Sequence, residues 1–379
     1  MAGRIGRVKS PLKALLISTP FFFGGLEVGL RLTGYSSPDL AMLDRDTGWA
    51  LRPGTEGLIR RENKQGVYVR INSDGLRDRE HSIPKPASTF RIAVLGDSLC
   101  EATEVPLEKT FWRILERELW TCAIPLGRKV EVINFGVAGF STAQELITLR
   151  TKVWKYQPDI VLLAFTNSDV SENFRPLSGQ PLAPYYIEEQ GRLVLDDSFR
   201  ALIRYERLRN AHALVAQHLR TAQLATRLLQ RWSAHPPSSA PDLDKLYLES
   251  SDPDWQAAWR VTEALLREIH RDTSEHGAQL WITTTSNDIQ VHPEARLREA
   301  FAHGLGVSDL SYPARRIQSL CSREGIPVIT PAEEMIRYAE HNHVYLHGFA
   351  QTLGHGHWNE NGHRVAGELI AARFCRDLR

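Results

Sequence analysis

Two hydrophobic spacings alternate along the chain from Arg91 onward. Apolar residues run almost unbroken through FRIAVLG (90–96) and PDIVLLAF (158–165), and KVEVINFGVAG (129–139) leads into a glycine-rich turn. Between them, TFWRILERELWTCA (110–123) and TAQELITLRTKVWKYQ (142–157) repeat apolar residues every three or four positions. Continuous runs predict strands covered on both faces, and the longer spacing predicts helices that cover them. The same unit recurs in AWRVTEALLREIHRDTSEHG and AQLWITTT (258–285), then in ARRIQSLCSREG and IPVIT (314–330), and NGHRVAGELIAARFCRDL (361–378) closes the pattern as an amphipathic helix. The fold class read from this is α/β, with a central parallel sheet between helical layers, over residues 91–379.

The pattern loosens between about residues 177 and 250. YYIEEQGRLVLD (185–196) predicts a hairpin, the next thirty or so residues predict one or two helices, and SAHPPSSAPD (233–242) reads as a Pro/Ser linker. This partly helical insertion is expected to lie over the sheet, either as a lid or as peripheral packing. Residues 36–90 are turn-rich, with a short alternating strand in QGVYVRINSDGLRD. At the N-terminus, Arg4, Arg7, Lys9 and Lys13 precede an apolar stretch from Ala14 to about Leu30 that only Glu27 interrupts. A basic flank before an apolar run predicts an uncleaved membrane helix within residues 1–35, with the remaining chain on the extracytoplasmic, periplasmic side.

The formal net charge of the 379 residues is +1 and no basic stripe interleaves with aromatics, which argues against nucleic acid as a partner. Cys100, Cys122, Cys321 and Cys375 are widely spread, so their spacing argues neither a zinc site nor a particular disulfide. Trp112, Trp120, Trp154, Trp255 and Trp259 stand at helical spacings and are expected to pack, with Trp358 at the wall of a pocket beside His357.

Candidate chemistry gathers at the predicted strand ends, where ligands sit in open parallel sheets. Gly96-Asp97-Ser98 follows the first strand. It is either an ordinary turn or a mount for a nucleophilic hydroxyl, which would need a histidine to take its proton. Gly136 and Gly139 follow the second strand, where a backbone N–H could face a developing oxyanion. Asn167, Ser168, Asp169 and Asn173 follow the third and could serve as donors or as helix caps. His357 precedes the last helix and could reach Ser98. His341, His343, His347, His355, His357 and His363 also suggest a competing metal site, although no carboxylate-rich or cysteine-containing partner completes it.

In this order the stretches GDSL (96–99), NFGVAGFST (134–142), PDIVLLAFTNSDV (158–170) and HGHWNENGH (355–363) resemble the blocks of the SGNH/GDSL family of serine hydrolases. NSDGLR (72–77) is similar to the N-x-x-G-x-R stretch that membrane-anchored members carry before the core. The resemblance implies a flavodoxin-like three-layer sandwich with Ser98 as nucleophile and His357 as base, and no cofactor or metal. It also implies an oxyanion hole formed from the N–H groups of Ser98 and Gly139. The oxyanion asparagine falls at Ser168 by spacing, with Asn167 one place early, so either side chain is a candidate. The family's aspartate two or three residues before the base is replaced by Gly354 and His355. That leaves Asp97, His355 or Asp169 as possible supporting groups, or a backbone carbonyl or distant carboxylate to orient His357. The activity implied is hydrolysis of an acyl ester on a small molecule, lipid or carbohydrate. The alternatives are O-acetyl transfer to an exported or envelope polysaccharide, and a degenerate member that only binds a glycan or envelope partner.

Overall fold

The computed structural model describes residues 11–35, 37–122, 128–209, 218–233 and 243–378. Four short strands come first: β1 (Ala41–Asp44) pairs antiparallel with β2 (Gly48–Leu51), and β3 (Glu56–Ile59) with β4 (Val67–Arg70). The main sheet contains β5 (Thr89–Leu95), β6 (Lys129–Asn134), β7 (Ile160–Phe165), β10 (Gln279–Thr284) and β11 (Val328–Ile329). All its pairings are parallel, in the spatial order β11-β10-β7-β5-β6. A separate hairpin, β8 (Tyr185–Glu189) with β9 (Arg192–Asp196), fulfils the expected hairpin of the insertion.

Alternate residues of each central strand enter two different cores, as a doubly covered sheet requires. Ala93, Leu95, Val161, Leu163 and Ile282 meet the helices Thr142–Thr148, Pro253–Glu275 and Tyr312–Glu324. Ile92, Val94, Ile160, Leu162 and Trp281 meet Phe111–Thr121, Ala332–Asn342 and Glu360–Asp377. Arg91 is the polar exception in β5. Its guanidinium is fully buried, pairs with Glu131 and donates to the carbonyl oxygen of Tyr156 at 2.6 Å. The strand order reverses at β5, whose neighbours are β6 on one side and β7 on the other. A crevice for ligand opens at such a reversal, beyond the carboxyl ends of the strands. Ser98 stands there.

The turn-rich segment of residues 36–90 forms a small core of its own, in which Leu40, Leu51, Ile59, Val67, Val69 and Ile71 pack with Val137 and Phe140. Those last two residues belong to the loop after β6, so the N-terminal hairpins lean directly on the site region.

The membrane-spanning expectation needs correction. A helix does form over Pro11–Leu32, but no helix among the described residues is long and apolar enough to cross a membrane. Lys13, Glu27 and Arg31 fall within those 22 residues and lower its apolar character. The Glu27 carboxylate accepts hydrogen bonds from the backbone N–H groups of Arg220 and Thr221, at 3.0 and 2.9 Å. It therefore caps the helix Arg220–Ser233, and those two bonds, with Arg31, hold its pKa at about 2. The lid expectation changes as well, because the insertion helices Phe199–Arg209 and Arg220–Ser233 pack on β1, β2 and the helix Pro11–Leu32. Arg4, Arg7 and Lys9, and nearly all of the Pro/Ser linker (234–242), lie outside the described residues.

Cys122 and Cys375 form a disulfide between the helices Phe111–Thr121 and Glu360–Asp377, with Cα atoms 5.8 Å apart, while Cys100 and Cys321 are free and buried. Alkylation of the denatured, unreduced chain followed by mass measurement is expected to report two thiols, and four after reduction. Four thiols before reduction would contradict the bond.

Candidate active site

A strand that ends at Leu95 runs through Gly96 and Asp97 into a helix of four residues, Ser98–Glu101. Asp97 caps it, its Oδ1 accepting from the Leu99 N–H at 3.0 Å, which fixes the backbone that presents Ser98. So short a helix leaves carbonyls unpaired at its far end. The buried Arg77 guanidinium donates to the Glu101 and Val105 carbonyl oxygens, each at 2.6 Å. Burial pulls the Arg77 pKa down to about 10, against the charges of Glu101, Glu104 and Asp78, so the side chain stays cationic at neutral pH. The rest of NSDGLR shapes the approach. Asn72 Oδ1 accepts from the N–H groups of Asp74 and Leu76, and Asp78 Oδ2 accepts from the Asn134 N–H of β6. The stretch is a brace that ties the N-terminal segment to the nucleophile helix and the second strand.

The loop after β6 is held against the same helix. Glu101 Oε2 accepts from the Ala138 N–H at 2.7 Å, and Trp49 Nε1 donates to the Ala138 carbonyl at 3.0 Å. A Cβ on Gly136 would lie 2.1 Å from Cys100 Cβ, so only glycine lets the loop come this close. The two glycines differ in their amides. The Gly136 N–H is spent on Asn134 Oδ1, whereas those of Gly139 and Ser98 donate to no group among the described residues.

At the third strand end, Asn167 is buried with its amide nitrogen 3.0 Å from Gln290 Oε1. The Ser168 carbonyl accepts from the Ser171 hydroxyl and the Glu172 N–H. Asp169 is fully buried, and its Oδ2 accepts from the Thr166 N–H. Asp97, Glu145, Asp169 and Glu172 make a set of buried acids beneath the strand ends. Desolvation raises the pKa of all four, and repulsion from neighbouring acids adds to it for Glu145, Asp169 and Glu172, the last reaching about 8.

His357 closes the arrangement. Its Nε2 lies 2.8 Å from Ser98 Oγ, and its Nδ1 lies 2.6 Å from Glu62 Oε1. The other Glu62 oxygen accepts from the His357 backbone N–H at 2.9 Å. Of the supporting candidates read from sequence, Asp97 caps Leu99, Asp169 bonds to Thr166, and His355 is exposed with Nδ1 3.8 Å from Asp288. None of them contacts the His357 ring. Glu62 does, from within RRENKQG (60–66), a polar stretch with no motif to single it out. The absence of an acid at 354 and 355 was the signal that a distant carboxylate had to be sought.

The remaining histidines divide by role. His347 bonds through Nδ1 to the Gly356 carbonyl at 2.5 Å, and His363 Nδ1 accepts from the Phe111 N–H. Burial depresses their pKa values to about 4 and about 3. Among the described residues, no three His, Cys, Asp or Glu side chains come together to hold a metal ion. Trp358 is buried with Nε1 donating to Ser286 Oγ, a core residue instead of the expected pocket wall. A cavity of about 440 Å³ opens beside the histidine loop, lined in part by Asp288, Ile289, Leu297, Phe301 and His355.

Burial works to lower the His357 pKa, but the Glu62 hydrogen bond and the charges of Glu104, Glu62 and Asp97 overcome it and lift the value to about 9. Only the neutral ring can take a proton from Ser98. The rate at which a fluorophosphonate labels Ser98 is therefore expected to climb about tenfold per pH unit and to level off near pH 9. A plateau already reached at pH 7 would contradict this electrostatic picture.

No protein-family profile matches the chain. Over 86 residues, 23% of its length, it is 31% identical to an arylesterase of Vibrio mimicus, and it spans 41% of that protein. Among solved structures it is similar to the acetyl xylan esterase AlAXEase, at 12% identity and a TM-score of 0.39, over 75% of this chain and 99% of that one. It is also similar to the acetylxylan esterase Axe2 of Geobacillus stearothermophilus, at 11% identity and a TM-score of 0.40, over 78% and 96%. The lipase Lip_vut3 from a goat rumen metagenome matches at 14% identity and a TM-score of 0.40, over 76% and 100%. In the order of its sequence blocks, the chain resembles the SGNH/GDSL hydrolases.

Proposed function

We propose that the protein hydrolyses acyl esters through a covalent acyl-enzyme. The observation that carries this reading is the 2.8 Å contact between His357 Nε2 and Ser98 Oγ at the point where the strand order reverses. In the first half-reaction Ser98 Oγ attacks the carbonyl carbon as its proton passes to Nε2. The resulting oxyanion meets the unspent N–H groups of Ser98 and Gly139. Collapse breaks the bond to the alcohol oxygen, which takes the proton from Nε2 and leaves. A water molecule then gives its proton to Nε2 and attacks the acyl carbon; collapse breaks the bond to Ser98 Oγ, which takes that proton back from Nε2 as the acid leaves. Each oxyanion donor of this kind is worth roughly a hundredfold or more in rate.

The short likeness to an arylesterase agrees with this chemistry. An extracytoplasmic setting fits the Cys122–Cys375 disulfide, since such bonds persist in oxidising compartments. Acylated carbohydrates or lipids are the proposed substrates.

Release of p-nitrophenol from its acetate tests the reading. The wild-type chain is expected to turn over and to take up a fluorophosphonate. Ser98→Ala is expected to do neither, and His357→Ala to lose about a thousandfold or more in turnover. A carbohydrate acceptor that raises p-nitrophenol release while acetate release falls would mark transfer in place of hydrolysis. Equal labelling of wild type and Ser98→Ala would overturn the assignment.

A further inference from the structure

A base that takes up and gives away a proton in each half-reaction must be held in one tautomer, with Nδ1 carrying hydrogen and Nε2 facing the serine. The loop that bears His357 offers no acid of its own. Gly354 has no side chain, and His355 points into solvent. The nearby Asp288 is spent on backbone, accepting from Gly356 N–H at 3.0 Å and from Ile289 N–H at 2.7 Å.

We propose that Glu62, carried on the turn between β3 and β4, is the positioning acid of this site, standing in for the carboxylate that the His357 loop lacks. The inference rests on the hydrolase reading above and adds to it the group on which the base depends.

Three independent observations meet at this residue. First, Glu62 grips His357 twice, at ring and backbone, so the carboxylate fixes both the tautomer and the place of the loop. Second, Gly356 has φ +85, and a Cβ there would lie 2.5 Å from Glu62 Oε2 and 2.9 Å from Oε1. The residue before His357 is thus the one that yields space to the carboxylate. Third, the turn is moored to the nucleophile's own helix. Asn63 Nδ2 donates to the Glu104 carbonyl at 3.1 Å, and Arg61 donates to Thr103 Oγ1 at 3.3 Å and lies 3.6 Å from Glu101. Base and nucleophile are therefore registered to each other through the hairpin. Glu104, Asp97 and His347 also act on the ring electrostatically, but the ring's only bonded carboxylate among the described residues is that of Glu62.

The test compares Glu62→Gln, Glu62→Asp and Gly356→Ala with wild type, by fluorophosphonate labelling across pH 5 to 10. Glu62→Gln is expected to shift the midpoint of the profile from about 9 toward the ordinary histidine value of roughly 6.5, and to lower the high-pH plateau at least about a hundredfold. Gly356→Ala, which displaces the carboxylate, is expected to reproduce both changes, and Glu62→Asp to keep a raised midpoint with a plateau loss of about tenfold. A merely structural role would lower labelling at every pH without moving the midpoint, and that result overturns the proposal. A proton-NMR titration of the His357 ring in the Ser98→Ala background reads the same shift without turnover. No shift there on adding Glu62→Gln refutes the positioning role. A clear shift in a chain whose wild type never labels would instead refute the hydrolase reading.

Discussion

Four residues of helix cannot hold a reactive side chain in place by themselves, and the buried Arg77 guanidinium makes the Ser98 mount possible. It supplies a hydrogen bond that the helix Ser98–Glu101 lacks at its C-terminal end, to the Glu101 carbonyl, and a second to Val105 beyond it, and it does so from a segment outside the sheet. Removing such a partner would leave buried carbonyls unpaired, at a cost of about 1–3 kcal/mol each. Asp78, Trp49 and Asn63 extend the same dependence, tying the N-terminal segment to the end of β6, to the loop after it and to the loop after the helix Ser98–Glu101. The hairpins and the sheet therefore share one site, with Ser98 and His357 on the sheet and Glu62 on a hairpin.

The sheet was legible because its burial is two-sided. Strands such as Ile160–Phe165 carry no polar residue, and that pattern has few other readings. Glu62 was illegible for the opposite reason. It sits in a polar turn of RRENKQG, 295 residues from its partner, and a charged residue in a turn reads as solvated surface. Glu27 reads from sequence only as a break in the apolar run of the first helix, whereas in the fold its carboxylate accepts from two helix N–H groups. NSDGLR was recognised as a motif, but only the coordinates reveal its work, since a buried arginine aimed at backbone carbonyls has no periodic signature.

The acids beneath the nucleophile show how the fold keeps a crowded interior neutral. Glu145 and Asp169 are buried and Glu172 half-buried, and these three lie close enough to one another or to Asp97 for repulsion to add to desolvation. Desolvation favours their protonated forms, which can then donate hydrogen bonds as well as accept them. Asp97 alone has a role tied to Ser98, as the cap of its helix.

The reach of the Ser98–His357 contact has a consequence for the life of the chain before it is mature. The two residues stand 259 positions apart, and Glu62 lies farther still from the imidazole. Contacts this remote close late, after the local β–α units have condensed. A growing polypeptide thus carries its serine as an ordinary alcohol until the C-terminal stretch docks against the sheet. On the hydrolase reading proposed above, reactivity arrives only with completed folding.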